Sequence, residues 1–65
     1  MKLYTCKPNY DWHGLCLIAA NSLEEAKEVL SREPYGYRYN LDRIQELEGG
    51  SVETNFAHVL AEVSH

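Results

Sequence analysis

The amino-acid sequence predicts an α+β fold: a single small domain spanning residues 1–65, β-β-α-β-β in order, with one helix packed on a small, mainly antiparallel sheet. Three observations predict it. Ser22 followed by Glu25 is a helix-capping pair, and an apolar stripe follows it. Two short runs, KLYTCK at 2–7 and GLCLIAA at 14–20, have the length and boundaries of strands. A lone two-stranded hairpin under one helix is marginal, so the chain beyond residue 41 has to supply more sheet.

KLYTCK is rich in β-formers, and Pro8 and Asn9 end it. GLCLIAA is an apolar run bounded by Gly14 and Asn21. Between them PNYDWH reads as a loop or wide turn, which makes the pair an antiparallel hairpin. A hairpin centred near Asp11 sets Tyr4 opposite Ile18 and Cys6 opposite Cys16. In the helix, Leu23, Ala26, Val29 and Leu30 line one face, while Glu24, Glu25 and Lys27 point elsewhere. Glu28 and Arg32 sit at i,i+4 and can pair. Acids in the first turn suit the positive helix end, and Pro34 stops the helix.

PYGYRYN at 34–40 is a turn followed by alternation, with Tyr35, Tyr37 and Tyr39 two apart and suited to one sheet face. Beyond it two patterns compete. NLDRIQELEGG fits a short helix with Leu41, Ile44 and Leu47 inward, or a strand over 43–48 that turns at Gly49–Gly50. In the tail, Val52, Phe56, Val59, Leu60 and Val63 fit a helical stripe, whereas Val59, Ala61 and Val63 alternate as a strand. Strands at about 43–48 and 58–64 complete the sheet and are the preferred reading.

A chain of 65 residues buries only about 60% of the surface its unfolded form exposes. A buried pocket of roughly 300 Å³ would remove core that such a fold needs, which argues against an enzyme. The net charge of −4 is uneven. Residues 1–22 carry Lys2 and Lys7 against Asp11, for +1, and residues 23–65 carry nine acids against four bases, for −5. An acidic surface repels phosphate, so direct nucleic-acid binding is disfavoured and a basic protein partner is favoured. No apolar run approaches the ~20 residues of a membrane span, and the N-terminus has no signal-peptide pattern. The expectation is a cytoplasmic protein, more often monomer than oligomer, whose Cys6 and Cys16 are thiols.

Three residue constellations could carry chemistry. Cys6, His13 and Cys16, with His58 or His65, could supply four metal ligands, but the cysteines lack the short spacing that lets one turn hold an ion. Two small apolar side chains facing each other across a hairpin is the better account, so no metal and no cofactor is expected. Cys16 as a nucleophile would need a base within reach and an orienting group, yet it sits in an apolar run that makes a thiol inert. Gly49–Gly50 is followed by Ser-Val-Glu and is no phosphate-binding loop. No catalytic residue is assigned.

Two surface features remain. Tyrosine suits interface anchoring, which points to Tyr35, Tyr37 and Tyr39. Carboxylates at 24, 25, 28, 33, 42, 46, 48, 53 and 62 either solvate the domain or imitate a phosphate backbone. The order of a strand, an aromatic loop with W-H-G, then L-C-L-I-A-A-N-S-L-E-E-A-K-E-V-L and a late V-L-A-E-V-S-H resembles small uncharacterised phage and prophage proteins. Size and acidity also resemble the anti-CRISPR inhibitors, which bind a bacterial surveillance complex, some by mimicking DNA. That resemblance implies a non-enzymatic inhibitor occupying a basic, nucleic-acid-binding surface of a bacterial defence complex. Glu24, Glu25 and Glu28 would then give acidic contacts, and Tyr35, Tyr37 and Tyr39 aromatic anchors. The alternative is a regulatory or adaptor module without nucleic-acid mimicry.

Overall fold

The computed structural model describes residues 1–9 and 14–64. Its elements are β1 (Lys2–Cys6), β2 (Gly14–Ala20), α1 (Leu23–Ser31), β3 (Gln45–Ser51) and β4 (His58–Ser64). The strands form one antiparallel four-stranded sheet in the order β3-β1-β2-β4. This is the expected α+β order. The hairpin register is also the expected one, with Tyr4 opposite Ile18 and Cys6 opposite Cys16. Of the connecting loop, residues 10–13, which include Tyr10, Trp12 and His13, lie outside the described residues, as does His65.

Alternation divides the sheet into two faces. Tyr4 and Cys6 of β1 and Cys16, Ile18 and Ala20 of β2 are buried toward α1, which contributes Ala26, Val29 and Leu30 to the same core. Tyr39 and Ile44, from the segment between α1 and β3, close its remaining side. Ser22 caps α1, its hydroxyl accepting from the Glu25 amide at 3.2 Å, and the Glu25 carboxylate accepts from the Asn21 amide at 2.7 Å. The first arm of the capping box is therefore made, while the Glu25 carboxylate reaches one residue further back, to Asn21 instead of the Ser22 amide. Leu23, the first member of the apolar stripe, is 41% exposed.

Three expectations are corrected. The tyrosine segment is not an alternating strand on one face. Gly36–Arg38 is a 3-10 turn, and Gly36 lies so close to the end of α1 that a Cβ there would stand 2.6 Å from the Leu30 carbonyl oxygen. An Asn9 amide hydrogen bond to Arg38 (2.6 Å) and a bridge between Pro8 and Tyr39 strap this segment to the end of β1.

The strand preferred at about 43–48 forms, but it starts at Gln45 and not at 43. The Asn40 side chain accepts from the Asp42 amide at 2.9 Å and starts a 3-10 turn over Leu41–Arg43, which ends before Ile44 enters the core. The glycine pair does not turn the chain back either. β3 runs through it to Ser51, pairing Tyr4 with Glu46 and Lys2 with Ser51, so several β3 residues lie opposite Leu3 alone. Gly49, at φ +75°, supplies the left-handed backbone of this bulge.

β4 occupies the expected residues 58–64 and carries its own irregularity between its contacts with Leu17 and Ile18. The helical alternative for the tail is thereby excluded for His58–Ser64. No helix among the described residues is long and apolar enough to cross a membrane.

Candidate interaction surface

Buried chemistry is sparse. Among the described residues the core holds no buried polar or charged side chain. Two thiols lie in it, both free and at most 1% exposed. Burial pushes the Cys16 thiol up to about 12, and the nearby Cys6, Glu62 and Glu33 add to the effect. Burial likewise raises Cys6, partly opposed by the positive charge of Arg43. A thiol held protonated in this way is a poor nucleophile and a poor metal ligand. The Cys6 Sγ instead donates to the Asn40 carbonyl at 3.4 Å. Among the described residues no three His, Cys, Asp or Glu side chains converge as a metal site.

The acids expected to meet a partner lie on α1 but differ in their freedom. Glu24 is exposed and makes no side-chain hydrogen bond or ion pair among the described residues. Glu28 is exposed and holds Arg32 at 2.8 Å, one helical turn on. Glu25 is half-buried, and its carboxylate is committed to the helix cap. Additional exposed carboxylates come from β3 and the loop after it: Glu46, held loosely by Lys2 at 3.9 Å, and Glu48 and Glu53, without ion pairs among the described residues. Charge patterning identified these positions, but only the fold shows that β3 is an edge strand exposed along nearly its whole length.

The three tyrosines separate completely. Tyr37 is 73% exposed, with the Arg38 guanidinium 5.7 Å from its ring centre and the Arg38 Nε donating to its hydroxyl at 3.3 Å. Tyr39 is only 4% exposed, and its hydroxyl donates to the Glu62 carboxylate at 2.9 Å. Burial, reinforced by that carboxylate, pushes the Tyr39 phenol well above the ordinary range. Tyr35 is half-buried, edge-on to Tyr39 at 6.3 Å, and its phenol is pushed up to about 12 by burial and by Glu33. Of the three, Tyr37 alone is free for a partner; Tyr39 belongs to the core.

The sheet face turned away from α1 is an apolar surface that sequence inspection did not single out. Leu15 and Val63 face each other across β2 and β4, at 41% and 56% exposure, with Leu17 opposite Ala61 beside them. Leu3 and Leu47 extend it around the β3 bulge, where both approach the position of a Gly50 Cβ (3.1 and 3.2 Å). The register of the hairpin already implied this face, since the odd-numbered positions of β2 lie opposite the buried even-numbered ones. Phe56, 63% exposed and stacked on His58 at 4.4 Å, is a separate aromatic site.

No family model matches the chain, and neither a curated protein nor a solved structure is found to match it.

Proposed function

We propose that the chain is a non-enzymatic binding protein that presents carboxylates to a basic, nucleic-acid-binding surface of a bacterial defence complex, in the manner of an anti-CRISPR inhibitor. The observation that carries this reading is the distribution of charge: Glu24, Glu28, Glu46, Glu48 and Glu53 all stand on exposed positions, while the buried interior holds no ionised group among the described residues. Glu24 and Glu28 supply the helix contacts, Glu46 and Glu48 the edge-strand contacts, and Tyr37 the aromatic anchor. Glu25 acts indirectly, by holding the start of α1 in place.

The test is capture from a bacterial lysate followed by a salt series on the purified pair. Exposed charges are screened within about 8 Å at physiological ionic strength, so association should weaken steeply with salt. Substituting Glu24→Lys and Glu28→Lys together leaves the core untouched and should weaken binding by more than about tenfold, equivalent to about 1.4 kcal/mol. Tyr37→Ala should weaken binding without changing the salt slope. A double lysine variant that binds as tightly as the parent refutes the acidic-surface reading.

The apolar sheet face supports a second reading, an adaptor module whose partner covers Leu15, Leu17 and Val63. Its signature would be salt-insensitive binding that Val63→Glu abolishes.

A further inference from the structure

A cleft of about 410 Å³ opens where the end of β1 meets the start of β3, lined by Thr5, Lys7, Asp42, Arg43 and Gln45. Its charge is opposite to that of the rest of the molecule. The chain has six basic side chains, and four of them are engaged: Lys2 with Glu46, Lys27 with Asp42, Arg32 with Glu28, and Arg38 with Tyr37. The remaining two, Lys7 and Arg43, make no side-chain hydrogen bond or ion pair among the described residues, and both line this one cleft. Asp42, the acid on its wall, is highly exposed and lies 3.9 Å from Lys27, so it stays available to the cleft.

The walls are held by backbone structure rather than by the charged side chains themselves. Thr5 lies between buried Tyr4 and Cys6 and therefore points away from the core. It is directly opposite Gln45 in the β1–β3 pairing, which sets a hydroxyl beside an amide. Arg43 closes the Leu41–Arg43 turn, its amide donating to the Asn40 carbonyl at 2.9 Å. Lys7 is fixed between Cys6, whose Sγ reaches Asn40, and Pro8, which bridges to Tyr39. The two cations thus project from pinned backbone on two different elements.

The geometry points to a binding site for a small phosphomonoester, a function separate from the acidic surface proposed above. Arg43 offers a planar fork matched to two phosphate oxygens, and Lys7 a compact second charge. Thr5 and Gln45 add neutral hydrogen-bonding groups beside them. The volume exceeds what a bare phosphate fills and falls within the roughly 300–1,000 Å³ of small-molecule sites. Asp42, an acceptor on the same wall, suits a hydroxyl of the organic portion, so a phosphorylated sugar fits the lining better than inorganic phosphate.

The test is titration of the isotopically labelled full chain with ribose 5-phosphate, with ribose and inorganic phosphate as separate arms at matched ionic strength. Saturable amide shifts confined to Thr5, Lys7, Asp42, Arg43, Gln45 and their neighbours are expected with ribose 5-phosphate. Ribose should give none, and inorganic phosphate weaker binding. Arg43→Gln and Lys7→Gln, both exposed positions, should each weaken binding about tenfold or more, while Lys2→Gln, outside the cleft, leaves it unchanged. Spectra of the free variants report whether each remains folded. Absence of a saturable shift, equal binding of inorganic phosphate, or equal loss in Lys2→Gln would overturn the assignment.

Discussion

Alkaline pH should destabilise this protein through Cys16. The side chain has no exposed surface, and its thiol is pushed from 9.0 to about 12 by burial first, then by the neighbouring Cys6, Glu62 and Glu33. In the unfolded chain the same thiol titrates at its ordinary value. Below that value both states hold the proton, and the stabilisation from burying a neutral thiol is fully present. As pH rises from about 9 toward 12, only the unfolded state releases the proton, so stability is lost across that window. At about pH 10 the loss from this one group is about 1.4 kcal/mol. That is a large fraction of what a small domain holds in reserve. Cys6 and Tyr35 shift in the same direction, which steepens the parent curve and makes a variant necessary to isolate the cause. Urea unfolding followed by circular dichroism between neutral pH and about pH 10 measures the slope for the parent and for Cys16→Ala. The variant loses some packing at every pH, but its stability should fall less steeply above pH 9. An unchanged alkaline slope in Cys16→Ala would refute the argument.

Three further substitutions probe the contacts that hold the fold. Ser22→Ala removes the hydroxyl that accepts the Glu25 amide and should cost about 1 kcal/mol in a thermal or urea melt; an unchanged melt would mean the cap contributes nothing. Gly36→Ala places a methyl 2.6 Å from the Leu30 carbonyl oxygen, and the backbone on both sides must give way. A loss of about 1–3 kcal/mol is expected, and a neutral result would show that the turn can separate from α1 freely. Tyr39→Phe keeps the ring but removes the donor to Glu62, which should cost about 1–2 kcal/mol because the acceptor is charged yet half-hydrated. Stability equal to the parent would show that water replaces the hydroxyl completely.

What the sequence made legible was local or symmetric. The Ser22 cap is readable because its hydrogen bond to the Glu25 amide joins residues three apart, and the Cys6–Cys16 register because a hairpin pairs residues about a single centre. The β3 bulge is not readable in this way. Gly49–Gly50 has the local chemistry of a turn, but Lys2 and Tyr4 of β1 capture both ends of the segment and draw it out as an edge strand. The tyrosines failed for the same reason. Their two-residue spacing is a strand signal, yet the segment between α1 and β3 is fixed by Asn9, Pro8 and the end of α1, and those contacts bury Tyr39 while turning Tyr37 outward.

The same distinction governs the candidate sites. Carboxylates are identifiable as exposed from composition alone, because an unpaired charge costs too much to bury. Which of them remain available is a tertiary property: Glu25 is consumed by the cap, Glu28 is shared with Arg32, and Glu24 is left unencumbered. Lys7 and Arg43 are a stronger case. They stand thirty-six positions apart in the sequence, and neither has a motif around it. The Thr5–Gln45 pairing of β1 with β3 brings them to one cleft, so a local concentration of positive charge arises in a chain whose net charge is −4. Net charge describes how the whole molecule meets a distant partner, whereas recognition at contact follows the few charges that converge. An acidic outer surface and a cationic cleft can therefore serve different ligands on the same small domain.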